Sequence, residues 1–221
     1  MDQLEQISNE IRDYMEAVND ARDQAYQRSR ALTSECSLAI RAIHREEWEL
    51  AHRLMEQARA QARAMVEGVG AYPELYYAGY TQDALKEFVE AYLTYALVRN
   101  QPLPAPAELS VEPNTWLNGL AEAATELRRR ILDIIRHGYR DEVERLLDRM
   151  DEIYSLLVTF DFSDSITGGL RRRTDVLRGV LERTRGDVTT SLRQTELEQA
   201  LEALESKLSS ADGPVSGEAP A

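Results

Sequence analysis

Cysteine is almost missing from this chain. The single Cys36 excludes an intrachain disulfide and any zinc site built on cysteines, and its place in a helical apolar pattern reads as a small core residue. Glycine (11) and proline (7) are scarce for 221 residues, while Ala, Leu, Glu and Arg abound, a balance that predicts an all-α fold. No glycine-rich phosphate loop occurs, and the histidines at 44, 52 and 137 form no Ser/His/Asp or Cys/His arrangement. Lysine is reduced to Lys86 and Lys207, so the positive charge is carried almost wholly by arginine. No apolar run approaches a membrane span, and the opening Met1-Asp2-Gln3-Leu4-Glu5 is acidic without an apolar signal core, so the sequence reads as that of a cytoplasmic protein.

Acids dominate what is present. With 39 Asp and Glu against 26 Lys and Arg, the net charge is −13. That speaks against indiscriminate binding to nucleic acid or anionic membrane, unless the cations are gathered on one face. The length suits one helical domain over 1–208. The polar, Pro- and Gly-bearing stretch 209–221 reads as a disordered tail.

Apolar or small residues recur every three or four positions from Leu4 through Ile11, Val18, Ala25, Leu32 and Cys36 to Ile43, which predicts one long helix with a narrow seam. So long a helix is expected to run along several neighbours or to reach into another subunit. A second helix follows, faced by Trp48, Ala51, Met55, Ala58, Ala62 and Met65 and stopped by Gly68 and Gly70. After a tyrosine-rich connection, a third is expected over 82–99 with Thr81 as N-cap. Pro102, Pro104 and Pro106 impose an extended loop. Further helices are expected over 113–137 and 141–160 and from about 170 onward, the last with a break at Gly186.

Two of these helices carry close acid pairs. Glu87 and Glu90 are spaced i,i+3, and Glu122 and Glu126 are spaced i,i+4, so each pair lies on one helix face. Packed antiparallel across the proline loop, the two helices would gather four carboxylates. Such a group needs a counter-charge: a divalent cation, arginines, or separation into water. An all-oxygen donor set suits Mg²⁺ or Mn²⁺ better than zinc. Spacing alone leaves a second reading open, in which the four are solvated helix acids paired with Arg128, Arg129 and Arg130. The lone Glu49-Leu50-Ala51-His52 is half of what a carboxylate di-iron bundle requires and reads as ordinary helix surface. Arg171, Arg172 and Arg173 form a second basic cluster, which on a continuing helix either tracks a phosphate backbone or neutralises nearby acids.

Four stretches in order resemble the translin/TRAX family: Thr33-Ser34-Glu35-Cys36 leading to Ala42-Ile43-His44-Arg45, Leu85-Lys86-Glu87-Phe88-Val89-Glu90-Ala91, Trp116-Leu117-Asn118-Gly119-Leu120-Ala121-Glu122 continuing to Glu126-Leu127, and Leu170-Arg171-Arg172-Arg173-Thr174-Asp175. The resemblance spans roughly 29–187. It implies an α-α superhelix of about seven helices that assembles into a hollow, barrel-like octamer holding RNA or single-stranded DNA inside. It also implies a TRAX-like, catalytic-subunit-like chain: TRAX carries acids at the positions of Glu87, Glu90, Glu122 and Glu126, serving Mg²⁺-dependent RNA cleavage, whereas translin keeps only the last. One departure is visible, since TRAX has Asp where this chain has Glu122. On this resemblance Glu90 and Glu126 are the first choices as Mg²⁺ ligands, with Glu87 and Glu122 as ligands or water-positioning groups. Arg129, Arg171, Arg172 and Arg173 are expected to hold the strand. The alternatives are a non-catalytic translin-like oligomer that binds single-stranded DNA or RNA, and a purely structural helical scaffold.

Overall fold

A computed structural model describes residues 2–138 and 141–211. Among them there is no strand. Six helices of 17 residues or more form the body: α1 Asp2–His44, α2 Trp48–Val69, α4 Gly79–Val98, α6 Pro113–Ile135, α7 Asp141–Leu157 and α9 Leu170–Ala211. Three single turns, α3 Pro73–Tyr76, α5 Pro106–Leu109 and α8 Asp164–Thr167, sit in the connections. The all-α expectation holds, and the count of about seven differs from what is seen by these short turns.

The α1–α2 reversal is tight. Glu46 takes a left-handed conformation (φ 60°), and the amides of Arg45, Glu46 and Glu47 bond back to Arg41, Ile43 and Ala42. α2 then returns along α1, and the Arg28 guanidinium bonds the Ala64 carbonyl at 2.5 Å. Gly68 lies inside α2, while Gly70 caps it. α4 starts earlier than the sequence predicts, because Thr81 is not the cap: its hydroxyl donates to the Leu75 carbonyl at 2.8 Å from inside the helix. Apart from its polar start, α4 is buried almost all round, as befits a helix packed by α1, α2 and α6 at once.

The expected antiparallel packing of the two acid-bearing helices is corrected by the structure. Thr115 bonds Gln82, Gly119 abuts Lys86 and Val89, and Glu122 reaches Lys86, a near-constant offset that makes α4 and α6 parallel. The proline-rich connection provides the return. It is long enough to retrace the 20-residue helix, which rises about 30 Å. Trp116 Nε1 donates to the Pro104 carbonyl at 2.9 Å, and the Tyr76 hydroxyl donates to Glu112 at 3.2 Å, fixing its path.

Gly119 sets the distance between these helices. A Cβ there would stand 2.6 Å from Val89 Cγ1 and 3.1 Å from the Lys86 carbonyl. We expect Gly119→Ala to destabilise the fold by about 1–3 kcal/mol through overpacking, read as a lowered denaturation midpoint at unchanged slope. An unchanged midpoint would show that α4 and α6 have slack between them.

α9 runs beside α6, with Arg128 bonded to Asp187 at 2.8 Å and to Thr184 at 3.1 Å. The expected break at Gly186 is absent, since one interior glycine costs a helix only about 1 kcal/mol. The first half of α9 is anchored by Leu170, Leu177, Leu181 and Val188, but Leu197, Leu201, Leu204 and Leu208 are exposed. The first half of α1 likewise exposes Leu4, Ile7, Ile11 and Tyr14. Helix continues through Ala211, past the expected tail boundary at 209, and the rest of that stretch, 212–221, lies outside the described residues. No helix among the described residues is long and apolar enough to cross a membrane.

Candidate functional site

Because α4 and α6 are parallel and spaced by Gly119, Lys86, Glu87 and Glu90 lie level with Glu122 and Glu126. Glu87, Glu90 and Glu122 each bring one carboxylate oxygen to within 4.8 Å of the others, a set compatible with one cation. Glu90 is the deepest, only 8% exposed. Burial, followed by the charges of Glu87, Glu122 and Glu126 and opposed by Lys86, pushes its carboxyl up to about 9.

Glu126, the fourth acid of the sequence pattern, is engaged elsewhere. His44, at the end of α1, is buried, and its Nε2 donates to Glu126 Oε2 at 2.8 Å. With a carboxylate as acceptor, Nε2 carries the proton. His44 belongs to no constellation in the sequence; the parallel run of α1 beside α4 and α6 brings it to Glu126 across 82 positions. Glu126 still contributes its charge to the surroundings of Glu90.

Two cations hold Glu122. Lys86 Nζ lies 2.5 Å from its Oε2 and 3.2 Å from Glu87 Oε1, and Arg173 Nε lies 2.9 Å from its Oε1. Burial by itself would lower the Lys86 ammonium, but the bonds to Glu122 and Glu87 outweigh it and hold the group above its ordinary value. Lys86 is therefore a buried cation fixed within the acid cluster, a role that helical spacing does not predict. A Lys directly preceding the first of two acids on a helix gave no signal beyond its rarity in this chain.

The predicted arginines separate into two groups. Arg173 is drawn into the cluster and also donates to Asn118 Oδ1 at 3.1 Å. Arg172 lines a cavity of about 350 Å³ with Glu122, Thr125, Arg173 and Val176. Arg171 and Arg129 are exposed on their helices. Arg130 is nearly buried and structural, paired with Glu46 at 2.5 Å and Glu142 at 3.0 Å. Cys36 is buried as expected. Its thiol is pushed up, first by burial and then by the charges of Glu87, Glu35 and Glu90. Glu49 and His52 are exposed on α2, in keeping with the surface reading of that motif.

No protein-family model matches the sequence. An uncharacterized protein of Methanocaldococcus jannaschii is 30% identical over 212 residues, covering 95% of this chain and 91% of that protein. Among solved structures, AfC3PO is 31% identical with a TM-score of 0.78, covering 84% of this chain and 97% of its own. A structure of AfC3PO in complex with duplex RNA is 32% identical with a TM-score of 0.74, covering 84% of this chain and 96% of its own. NeC3PO, at 19% identity and a TM-score of 0.75 over 84% of this chain and 96% of its own, shares the fold. The helix order and the AfC3PO match together define a C3PO-type helical protein. The chain belongs to the translin/TRAX family.

Proposed function

We propose that this chain is a nucleic-acid-binding protein that cleaves single-stranded RNA with the help of Mg²⁺, inside an oligomer of C3PO type, the octamer that the family resemblance implies. The observation that carries the reading is the trio Glu87, Glu90 and Glu122, converging within 4.8 Å with one member buried. A buried carboxylate among like charges is stable only if protonated or matched by a cation, and hard oxygen donors fit Mg²⁺ or Mn²⁺. The RNA complex of AfC3PO, 32% identical to this chain, supports RNA as the ligand class.

Glu87, Glu90 and Glu122 would hold the ion. A divalent cation there supplies an activated water and neutralises charge developing on a phosphate. The chain's own residues do the rest. Arg172 and Arg173 line the cavity onto which Glu122 opens, where a phosphate oxygen would meet guanidinium donors. Lys86 keeps the three-carboxylate site close to neutral once a dication is present, as the sum of three negative and three positive charges requires. His44 fixes Glu126 at the edge of the cluster. Sequence is not read by such groups, which address phosphates and charge.

A second reading is favoured by one specific feature. Lys86 and Arg173 already bond both oxygens of Glu122, as in an ion-pair network that needs no metal. On that reading the chain is a translin-like binder of single-stranded RNA or DNA without catalysis. End-labelled RNA incubated with Mg²⁺ or with EDTA separates the two. Cleavage in Mg²⁺ alone supports the nuclease. Retention of intact RNA in both buffers leaves only the binder, and no retention at low salt removes both.

A further inference from the structure

A groove of about 500 Å³ follows the seam between α1 and α4, away from the pairing of Glu122 with Lys86 and Arg173. Its α1 wall carries Tyr26, Arg30, Ser37 and Arg41; its α4 wall carries Tyr80 and Asp83. Arg30, Ser34, Ser37 and Arg41 recur at i, i+4, i+7 and i+11, so they share one helix face, with the two arginines about 16 Å apart along the axis.

Neither arginine has a carboxylate or hydrogen-bond partner among the described residues, and both are exposed. In this they differ from Arg128, Arg130 and Arg173, each tied to an acid, and resemble other exposed arginines such as Arg129 and Arg171; the groove beside them is what distinguishes Arg30 and Arg41. Tyr26 stands edge-on to Tyr80, with ring centroids 5.7 Å apart, and keeps 49% of its surface exposed. The Tyr80 hydroxyl is buried and has no partner. Asp83 precedes Glu87 by one turn of α4, and Ser37 follows Cys36, whose thiol feels the charges of Glu87 and Glu90. The groove therefore ends beside the acid cluster.

We propose that this groove is a subsite for single-stranded RNA, binding nucleotides of a strand that passes beside the acid cluster. Arg30 and Arg41 each meet a backbone phosphate, and Tyr26 stacks on one base. A single strand is required because paired bases hide the faces that an aromatic ring covers. The lone carboxylate, Asp83, keeps phosphates to the α1 side and accepts from a ribose hydroxyl, which favours RNA over DNA. The assignment rests on the nucleic-acid reading above, and on neither metal binding nor cleavage.

The test uses the full chain in EDTA, with binding of a fluorescent oligouridylate followed by anisotropy over a salt series. Arg30→Ala and Arg41→Ala should each reduce the slope of log affinity against log salt by roughly one. Tyr26→Leu should weaken binding by about tenfold with the slope unchanged. Mn²⁺ affinity and molecular mass by light scattering should match wild type in all three. Wild-type binding that all three variants retain, slope included, overturns the groove and leaves the nucleic-acid reading standing. Variants that fall apart into smaller species while binding RNA normally assign the groove to contact between copies of the chain. A wild-type protein that binds no oligouridylate at low salt overturns the underlying reading and the groove with it.

Discussion

Glu122→Gln is expected to lower Mg²⁺-dependent RNA cleavage by roughly 10³-fold while RNA binding stays near wild type. Glu126→Gln is expected to cost far less, about tenfold. The ordering follows from where each carboxylate is committed. Glu122 offers an oxygen to the trio with Glu87 and Glu90 and is the acid to which both Lys86 and Arg173 are bonded. Glutamine there removes a negative charge and turns an amide donor toward one of two existing cations, so the whole cluster is disturbed. Glu126 accepts from His44 at 2.8 Å, and a glutamine carbonyl oxygen can still accept that bond. The measurement is single-turnover cleavage of labelled RNA by each variant, beside anisotropy for binding. Wild-type turnover in Glu122→Gln would end the nuclease proposal. Loss in Glu126→Gln as deep as in Glu122→Gln would make the fourth acid a ligand after all.

The helices and the identity of the acids were legible in the sequence because both depend on local spacing. Apolar residues at three-four intervals mark α1, α2 and α7, and i,i+3 or i,i+4 pairs must share a face whatever the tertiary fold. What spacing does not encode is helix direction. The proline connection reads in the sequence as a simple reversal, whereas it runs back along α4 and makes α4 and α6 parallel. That choice decides which acids are level with one another, and it brings in His44 from a helix distant in sequence. Lys86 was missed for the same reason. On its own helix it is a neighbour of Glu87, and only the close approach at Gly119 turns it toward Glu122. The predicted break at Gly186 and cap at Thr81 failed differently. Each was a local preference worth about 1 kcal/mol, overridden by packing along α6 and by the bond from Thr81 to Leu75.

Raising the pH from 5 toward 9 is expected to destabilise the metal-free protein and to strengthen its hold on Mn²⁺ by about tenfold per pH unit. The sign follows from Glu90. Its carboxyl ordinarily titrates near 4.5 and is pushed up to about 9 in the fold, first by burial and then by the neighbouring carboxylates. Between those values the folded chain keeps a proton that the unfolded chain has lost. Stability from this group therefore falls as pH rises through the window and levels off above it. A cation that needs the ionised carboxylate must displace that proton, so each ion bound below about pH 9 releases close to one proton, and its affinity climbs with pH. Glu90→Gln removes the titration. Its melting temperature without metal should match wild type near pH 5, exceed it near pH 8.5, and gain nothing from Mn²⁺. Calorimetry of Mn²⁺ binding in two buffers of different ionisation enthalpy counts the released protons directly. A proton count near zero, together with parallel melting curves for wild type and Glu90→Gln across the window, would mean that Lys86 already compensates Glu90 in full and that the trio is an ion-pair network rather than a set of metal ligands.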